Sequence, residues 1–188
     1  MVHVSRVYMV RHGRAAAGWD TDVDPGLDEI GREQALATAQ RLAQLSRMAL
    51  VSSPMKRCQE TAGFLANLWD QAAVTVEPLV TEIPSPDGYE LGERIEWLRA
   101  AMAGTWGELG PAYTDFRDDV VRYVAQRPTD TVIFSHFIAI NAVIGSCLGD
   151  DRLVIDSLDN ASVTVFETDG KGGLRLIERG NQADTLIR

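Results

Sequence analysis

Apolar residues in this chain fall alternately in short runs and in helical spacings. Residues 4–10 are rich in β-branched and aromatic side chains and predict a buried strand. Across residues 28–45, Ile30, Ala35, Ala39, Leu42 and Leu45 recur at helical spacing, and Asp28 stands where an N-cap belongs. Residues 48–51 predict a second strand. Ser53-Pro54 then predicts a helix start, with serine as cap and proline at the first helical position, and a helix to about Trp69. Residues 74–77 predict a third short strand. The stretch 79–113 is the least regular, because Pro84 and Pro86 exclude a helix interior or a central strand and Gly104, Gly107, Gly110 and Pro111 interrupt its end. Within it, Leu91, Ile95 and Leu98 predict a helix over 90–102. A helix over 114–126, a central strand over 131–134, a helix over 137–148 and a hairpin of 162–166 with 174–178 complete the pattern. Strands alternating with helices imply an α/β fold. We expect a three-layer α/β/α sandwich, with a mostly parallel sheet and an antiparallel C-terminal edge.

Composition narrows the picture. A chain of 188 residues, with 45% hydrophobic and 24% charged positions, fits one domain over residues 1–188 with an ordinary globular core. A net charge of −9 argues against a nucleic-acid surface but leaves room for a local basic pocket. Cys58 and Cys147 form neither a disulfide framework nor a metal-like spacing, so a reducing compartment is the default. Neither a signal-peptide core nor a run of about 20 apolar residues is present, and a cytoplasmic, membrane-free protein is expected.

The candidate chemistry sits at three strand-to-helix junctions. Arg11 and His12 follow the first strand, Ser52, Ser53 and Arg57 the second, and Ser135 and His136 the strand over 131–134. His3 is the remaining histidine, near the start. In a parallel sheet the carboxyl ends share one edge and can converge. Helix N-termini there offer free amides, and arginines offer planar forks matched to phosphate, a constellation suited to phosphoryl transfer.

The ordered set of motifs resembles the histidine phosphatase superfamily, the phosphoglycerate mutase-like family. Arg11-His12-Gly13 matches its signature, the run from Leu27 through Ala35 its next helix start, and Ser52-Ser53-Pro54-Met55-Lys56-Arg57 its second arginine motif. Glu82-Ile83 matches the acidic position, and Ser135-His136 the second histidine. The resemblance implies that His12 is a nucleophile forming a phosphohistidine. Arg11, Arg57 and His136 would hold the phosphoryl oxygens, and Glu82 would protonate the leaving oxygen and then assist water. Attack requires a neutral imidazole with a fixed tautomer, and Glu82 should have a raised pKa once phosphate is bound. It also implies a metal-independent phosphatase without cofactor, acting on a small phosphorylated metabolite or, through an open site, on a phosphoprotein. Phosphoglycerate mutase-type transfer and protein phosphohistidine hydrolysis are the alternatives, and a homodimer is compatible.

Departures from the family pattern concentrate where substrate choice is expected. Arg14, Ala15 and Gly18 replace the usual residues after the first motif, Phe137 replaces a glycine after the second histidine, and Pro84-Ser85-Pro86-Asp87-Gly88 replaces a glycine- and tryptophan-containing run. The segment at about 79–113 is expected to cover the substrate. Arg14 is a candidate for phosphate contact or for solvent, and Phe137 is a candidate substrate contact. Ser53 fits a helix cap better than a substrate contact. Trp97, Trp106 and Tyr113 fit core better than cleft, and Cys58 fits a buried, inert thiol better than a reactive one.

Overall fold

The computed structural model describes residues 4–18 and 21–182; His3 lies outside them. Six strands form one sheet in the order β3-β2-β4-β1-β5-β6, with β1 Ser5–Arg11, β2 Ala49–Ser52, β3 Val74–Val76, β4 Thr131–Ser135, β5 Val163–Thr168 and β6 Leu174–Glu178. The first four are mutually parallel, while β5 runs antiparallel to β1 and β6 to β5. Helices α1 Glu29–Leu42 and α2 Lys56–Leu68 cover one face. The other face carries α3 Leu91–Met102, α4 Trp106–Leu109, α5 Pro111–Ala125 and α6 Phe137–Leu148. The expected three-layer sandwich is therefore the one found.

The strand pleat explains the two cores. Val10, Val132 and Phe134 point to the α1/α2 side, while Val7, Met9 and Ile133 point to the α6 side. Every residue of β4 is buried, which is why its centre, Val132-Ile133-Phe134, is apolar on both faces. Helix α6 is likewise buried without interruption from Phe137 to Gly145, apolar except for Asn141, and sealed by left-handed Gly149.

Several boundaries differ from the sequence expectation. The first helix ends at Leu42, and Ile30 on its first turn is 44% exposed. The buried face begins at Gly31 instead, because the backbone of residues 13–14 packs directly on it: a Cβ at Gly31 would lie 2.1 Å from the Arg14 carbonyl oxygen. The second helix begins at Lys56 with Met55 as its cap, so Ser53 does not cap it. Ser53 precedes a proline, which keeps it extended, and its hydroxyl is engaged elsewhere. Asp28 does cap α1, accepting from the Gly31 amide at 2.7 Å. Trp106 is buried in the core, with Trp97 and Tyr113 packed against it and their rings 5.3 Å apart. Among the described residues, no helix is long and apolar enough to cross a membrane.

Two glycine substitutions separate contact from propensity. Gly31→Ala should destabilise the fold by about 1–3 kcal/mol, as overpacking does. Gly63→Ala, on α2 with open space around it, should stabilise by about 0.5–1 kcal/mol through helix propensity. Urea midpoints at constant slope measure both; equal effects would contradict the packing account.

Candidate active site

Sheet register brings the chemistry together. Arg11 pairs with Ser135 across β1 and β4, and Ser52 with Phe134 across β2 and β4. Three strands thus stop at one level, and the residues after them meet at one edge. The loops are locked by main-chain bonds: the His12 amide donates to Ser135 O at 3.1 Å and the Ser53 amide to Phe134 O at 3.0 Å. Thr61 on α2 adds a brace, accepting from the Gly13 amide at 3.1 Å and donating to Arg57 O at 2.7 Å. Gly13 is needed at this point because a Cβ there would stand 2.3 Å from Gly31 O. Glu82 comes from the irregular stretch. A 3-10 turn at Pro78–Val80 is tied to β4 by the Ser135 hydroxyl donating to Val80 O at 2.7 Å, and buried Ile83 anchors the far side.

Arg57 stands at the centre. Its Nε donates to His12 Nε2 at 3.2 Å, and its Nη2 lies 3.2 Å from His136 Nδ1 and 3.5 Å from Glu82 Oε2. His136 Nδ1 is itself 3.3 Å from Glu82 Oε2, and the two imidazole rings meet edge-on with centroids 5.3 Å apart. Arg11 lies alongside, over the Phe137 ring at 5.0 Å, with Nη1 donating to Leu158 O at 2.6 Å. Arg11, His12, Arg57 and His136 are all buried. Five of the residues singled out from the sequence therefore form one cluster, and Phe137 is a wall beneath Arg11. Arg14 is placed differently, with Nε 2.5 Å from Asp28 Oδ2 at the start of α1.

A family model for the histidine phosphatase superfamily (branch 1) matches residues 7–181. The chain belongs to that superfamily. Glucosyl-3-phosphoglycerate phosphatase of Mycolicibacterium vanbaalenii is 27% identical over 190 residues, covering 86% of this chain and 83% of the relative. Uncharacterized protein Rv0525 of Mycobacterium tuberculosis is 32% identical over 121 residues, and the match spans 57% of this chain and 60% of that protein's length. The solved structure of Bacillus stearothermophilus YhfR superposes with a TM-score of 0.76 at 20% identity, over 95% of this chain and 98% of that one, which shows a common fold.

Electrostatics in this histidine phosphatase relative favours one protonation pattern. Burial holds the His12 pKa well below 6.5, and the charges of Arg57 and Arg11 add to the effect, so the ring is neutral. Arg57 can only donate to Nε2, hence the proton sits on Nδ1 and is given to Gly13 O at 2.7 Å. His136 is also held neutral, first by burial, against the raising influence of Glu82. Ser53 Oγ lies 2.8 Å from its Nε2 and already accepts from the Met55 amide at 3.2 Å. We assign the His136 proton to Nδ1 because the Glu82 carboxylate at 3.3 Å accepts it there. The Ser53 hydroxyl then donates to Nε2, and the 3.2 Å approach of Arg57 Nη2 to Nδ1 is a contact rather than a hydrogen bond. Burial pushes Glu82 up, but His136, Arg57 and the Ile83 amide outweigh it and keep the carboxyl ionised. The raised value expected from the sequence concerns the phosphate-bound site. Arg11 is pushed down to about 10 by burial, opposed by Glu82 and Asp159.

Two buried guanidinium donors, Arg11 Nε and Arg57 Nη1, have no partner among the described residues. Unmet donors on buried cations mark a place for an anion. His12, Glu82 and His136 also offer three ligand atoms within 4.8 Å, a set that could hold a metal ion. The Arg57 guanidinium in contact with all three would repel a divalent cation there. A cleft of about 180 Å³ opens beside the cluster, reaching it at Arg57 and Glu82 and bounded by Asp22, Val23, Met55, Pro84 and Arg94 among others.

Sequence reasoning missed two supporting roles. Ser53 looked like a cap, and only its polarity beside a motif residue could have flagged another role. Asn160 donates Nδ2 to His12 O at 3.2 Å from a loop with no recognisable motif, and no sequence signal marked it. Cys58 is the buried thiol expected from the sequence, with Sγ 3.4 Å from His136 Nε2 and its pKa pushed up by desolvation.

Inorganic phosphate at a hundred times its Kd should add about 2.7 kcal/mol of stability. At roughly 2–4 °C per kcal/mol, this raises the melting temperature by about 5–10 °C. Arg57→Ala should abolish the shift, and an equal shift in that variant would move the anion elsewhere. Ring nitrogen-15 spectra should show His12 and His136 neutral across pH 6.5 with their protons on Nδ1. Ser53→Ala should redistribute the His136 proton between its nitrogens and leave His12 unchanged. A neutral ring resists protonation only while folded, so fold stability should fall as pH drops below 6.5, where the unfolded imidazoles take up protons.

Proposed function

We propose that the protein is a metal-independent phosphatase that hydrolyses a small phosphate monoester through a phosphohistidine intermediate. The observation that carries this reading is the pair of unpartnered buried guanidinium donors beside a neutral, tautomer-fixed His12. His12 Nε2 attacks phosphorus, a P–N bond forms, and the P–O bond to the leaving group breaks. Arg11, Arg57 and His136 Nδ1–H stabilise the charge on the three phosphoryl oxygens. The arriving anion cancels the pull of Arg57 on Glu82, which takes up a proton and passes it to the leaving oxygen. In the second half, the Glu82 carboxylate removes a proton from water, the oxygen attacks phosphorus, and the P–N bond breaks to release phosphate and free His12.

Substrate size follows from the cleft. Its volume of about 180 Å³ suits a small leaving group, and we assign the segment 79–113 the role of covering it, since Thr81, Ile83, Ser85 and Arg94 all line the cleft. A relative named glucosyl-3-phosphoglycerate phosphatase, which aligns over 86% of this chain, supports the phosphatase reading.

The test is phosphate release from p-nitrophenyl phosphate with EDTA present. Release should survive the chelator and vanish in His12→Ala, and an acid-labile, base-stable phosphoenzyme should be trapped in the wild type. Glu82→Gln should slow poor leaving groups far more than good ones. Activity retained in His12→Ala, or uniform slowing in Glu82→Gln, would remove those roles. A mutase would interconvert phosphoglycerates with little net phosphate release.

A further inference from the structure

The cleft has a second cation. Arg94, on α3, lines the same cavity as Arg57 and Glu82. Its recorded bond is from Nε to Tyr89 O at 3.3 Å, which leaves the terminal amino groups of the fork available. Among the described residues, no carboxylate lies within ion-pair distance of it. Arg41, Arg99 and Arg127 likewise have no carboxylate at that distance, but of these arginines Arg94 alone lines the cleft, together with Arg57.

The surroundings sharpen the point. Val23, Met55, Ile83 and Pro84 give the cleft shared by Arg57 and Arg94 an apolar lining. An apolar wall lowers the local dielectric, so a guanidinium there attracts an anion more strongly than one in open water. Asp22 is the acidic group of the lining besides Glu82. Its Oδ1 accepts from the Asp24 amide at 3.0 Å and closes its own turn. Its charge repels an anion, so Arg57 and Arg94 are the groups of the lining that attract one.

We propose that Arg94 is the centre of a second anion subsite, and that the substrate is a phosphate monoester whose leaving group carries its own negative charge beyond an apolar spacer. This rests on the phosphatase reading above and adds the substrate class. The phosphoryl group occupies the buried Arg11–Arg57 cluster, the spacer lies along the apolar lining, and the remote carboxylate or phosphate meets the free end of the Arg94 fork. The Nε bond to Tyr89 O orients the guanidinium, so less freedom is lost on binding.

Phenyl phosphate and 4-carboxyphenyl phosphate test this, since they share the ester and differ by one remote charge. Each is measured as a competitive inhibitor of p-nitrophenyl phosphate hydrolysis and, independently of turnover, as a thermal stabiliser. The carboxylated ester should have an inhibition constant about tenfold lower in the wild type, the scale of one charged hydrogen-bonded pair. Arg94→Gln should bring the ratio close to one, and Arg94→Lys should restore part of it. Equal inhibition by the two esters in the wild type, or a ratio unchanged in Arg94→Gln, overturns the subsite. If the wild type does not hydrolyse p-nitrophenyl phosphate, the phosphatase reading fails. The thermal shifts of the two esters then decide the subsite on their own: a larger shift for the carboxylated ester that disappears in Arg94→Gln supports it, and equal shifts overturn it.

Discussion

The contact on which the rest depends is the buried Arg57 guanidinium, held between two imidazoles and a carboxylate. A buried cation is tolerable only when its donors are met. Here His12 Nε2 takes one and Glu82 supports another, while Nη1 is left unmet. Because Arg57 can only donate, it dictates which nitrogen of His12 is bare. Its positive charge also helps keep that ring unprotonated. One residue thus sets the orientation, tautomer and charge of the group proposed to attack phosphorus.

Such an arrangement needs a rigid frame. Register along β1, β4 and β2 fixes three of its corners. Asn141 supports a fourth. It is wholly buried in the apolar α6, where it accepts from the Ile155 and Asp156 amides and donates to Asp156 O and Phe137 O. The three bonds to residues 155 and 156 fasten α6 to the loop that follows, the loop that brings Leu158 O to Arg11 and the Asn160 amide group to His12 O. A polar side chain inside an apolar helix is therefore part of the support for the site. The close approach of residues 13–14 to Gly31 does the same from the α1 side.

Flexible demands are placed elsewhere. The buried cluster is the place proposed for the phosphoryl group, while the cleft walls come from the loop around Asp22 and from the segment carrying Glu82 and Arg94. This separation lets the segment vary without disturbing the charges at Arg57. Glu82 belongs to both regions, tied to β4 through the Val80 carbonyl and open to the cleft along one side.

Much of this was legible in the chain itself. The alternation of apolar runs and helical spacings determined the layered α/β architecture, since pleat and helix period demand those patterns wherever a face is buried. Arg11, His12, Arg57 and His136 were legible because each stands at a strand-to-helix junction, whereas Glu82 was legible only through the family resemblance. Local sequence could not show that Ser53 leaves the cap position to donate to His136, because that choice depends on a ring 83 residues away. Nor could it show that Arg14 turns to Asp28, that Ile30 faces water, or that Glu82 is ionised. Side-chain partners, tautomers and pKa shifts arise from distance and burial, and those exist only once the sheet has brought remote residues together.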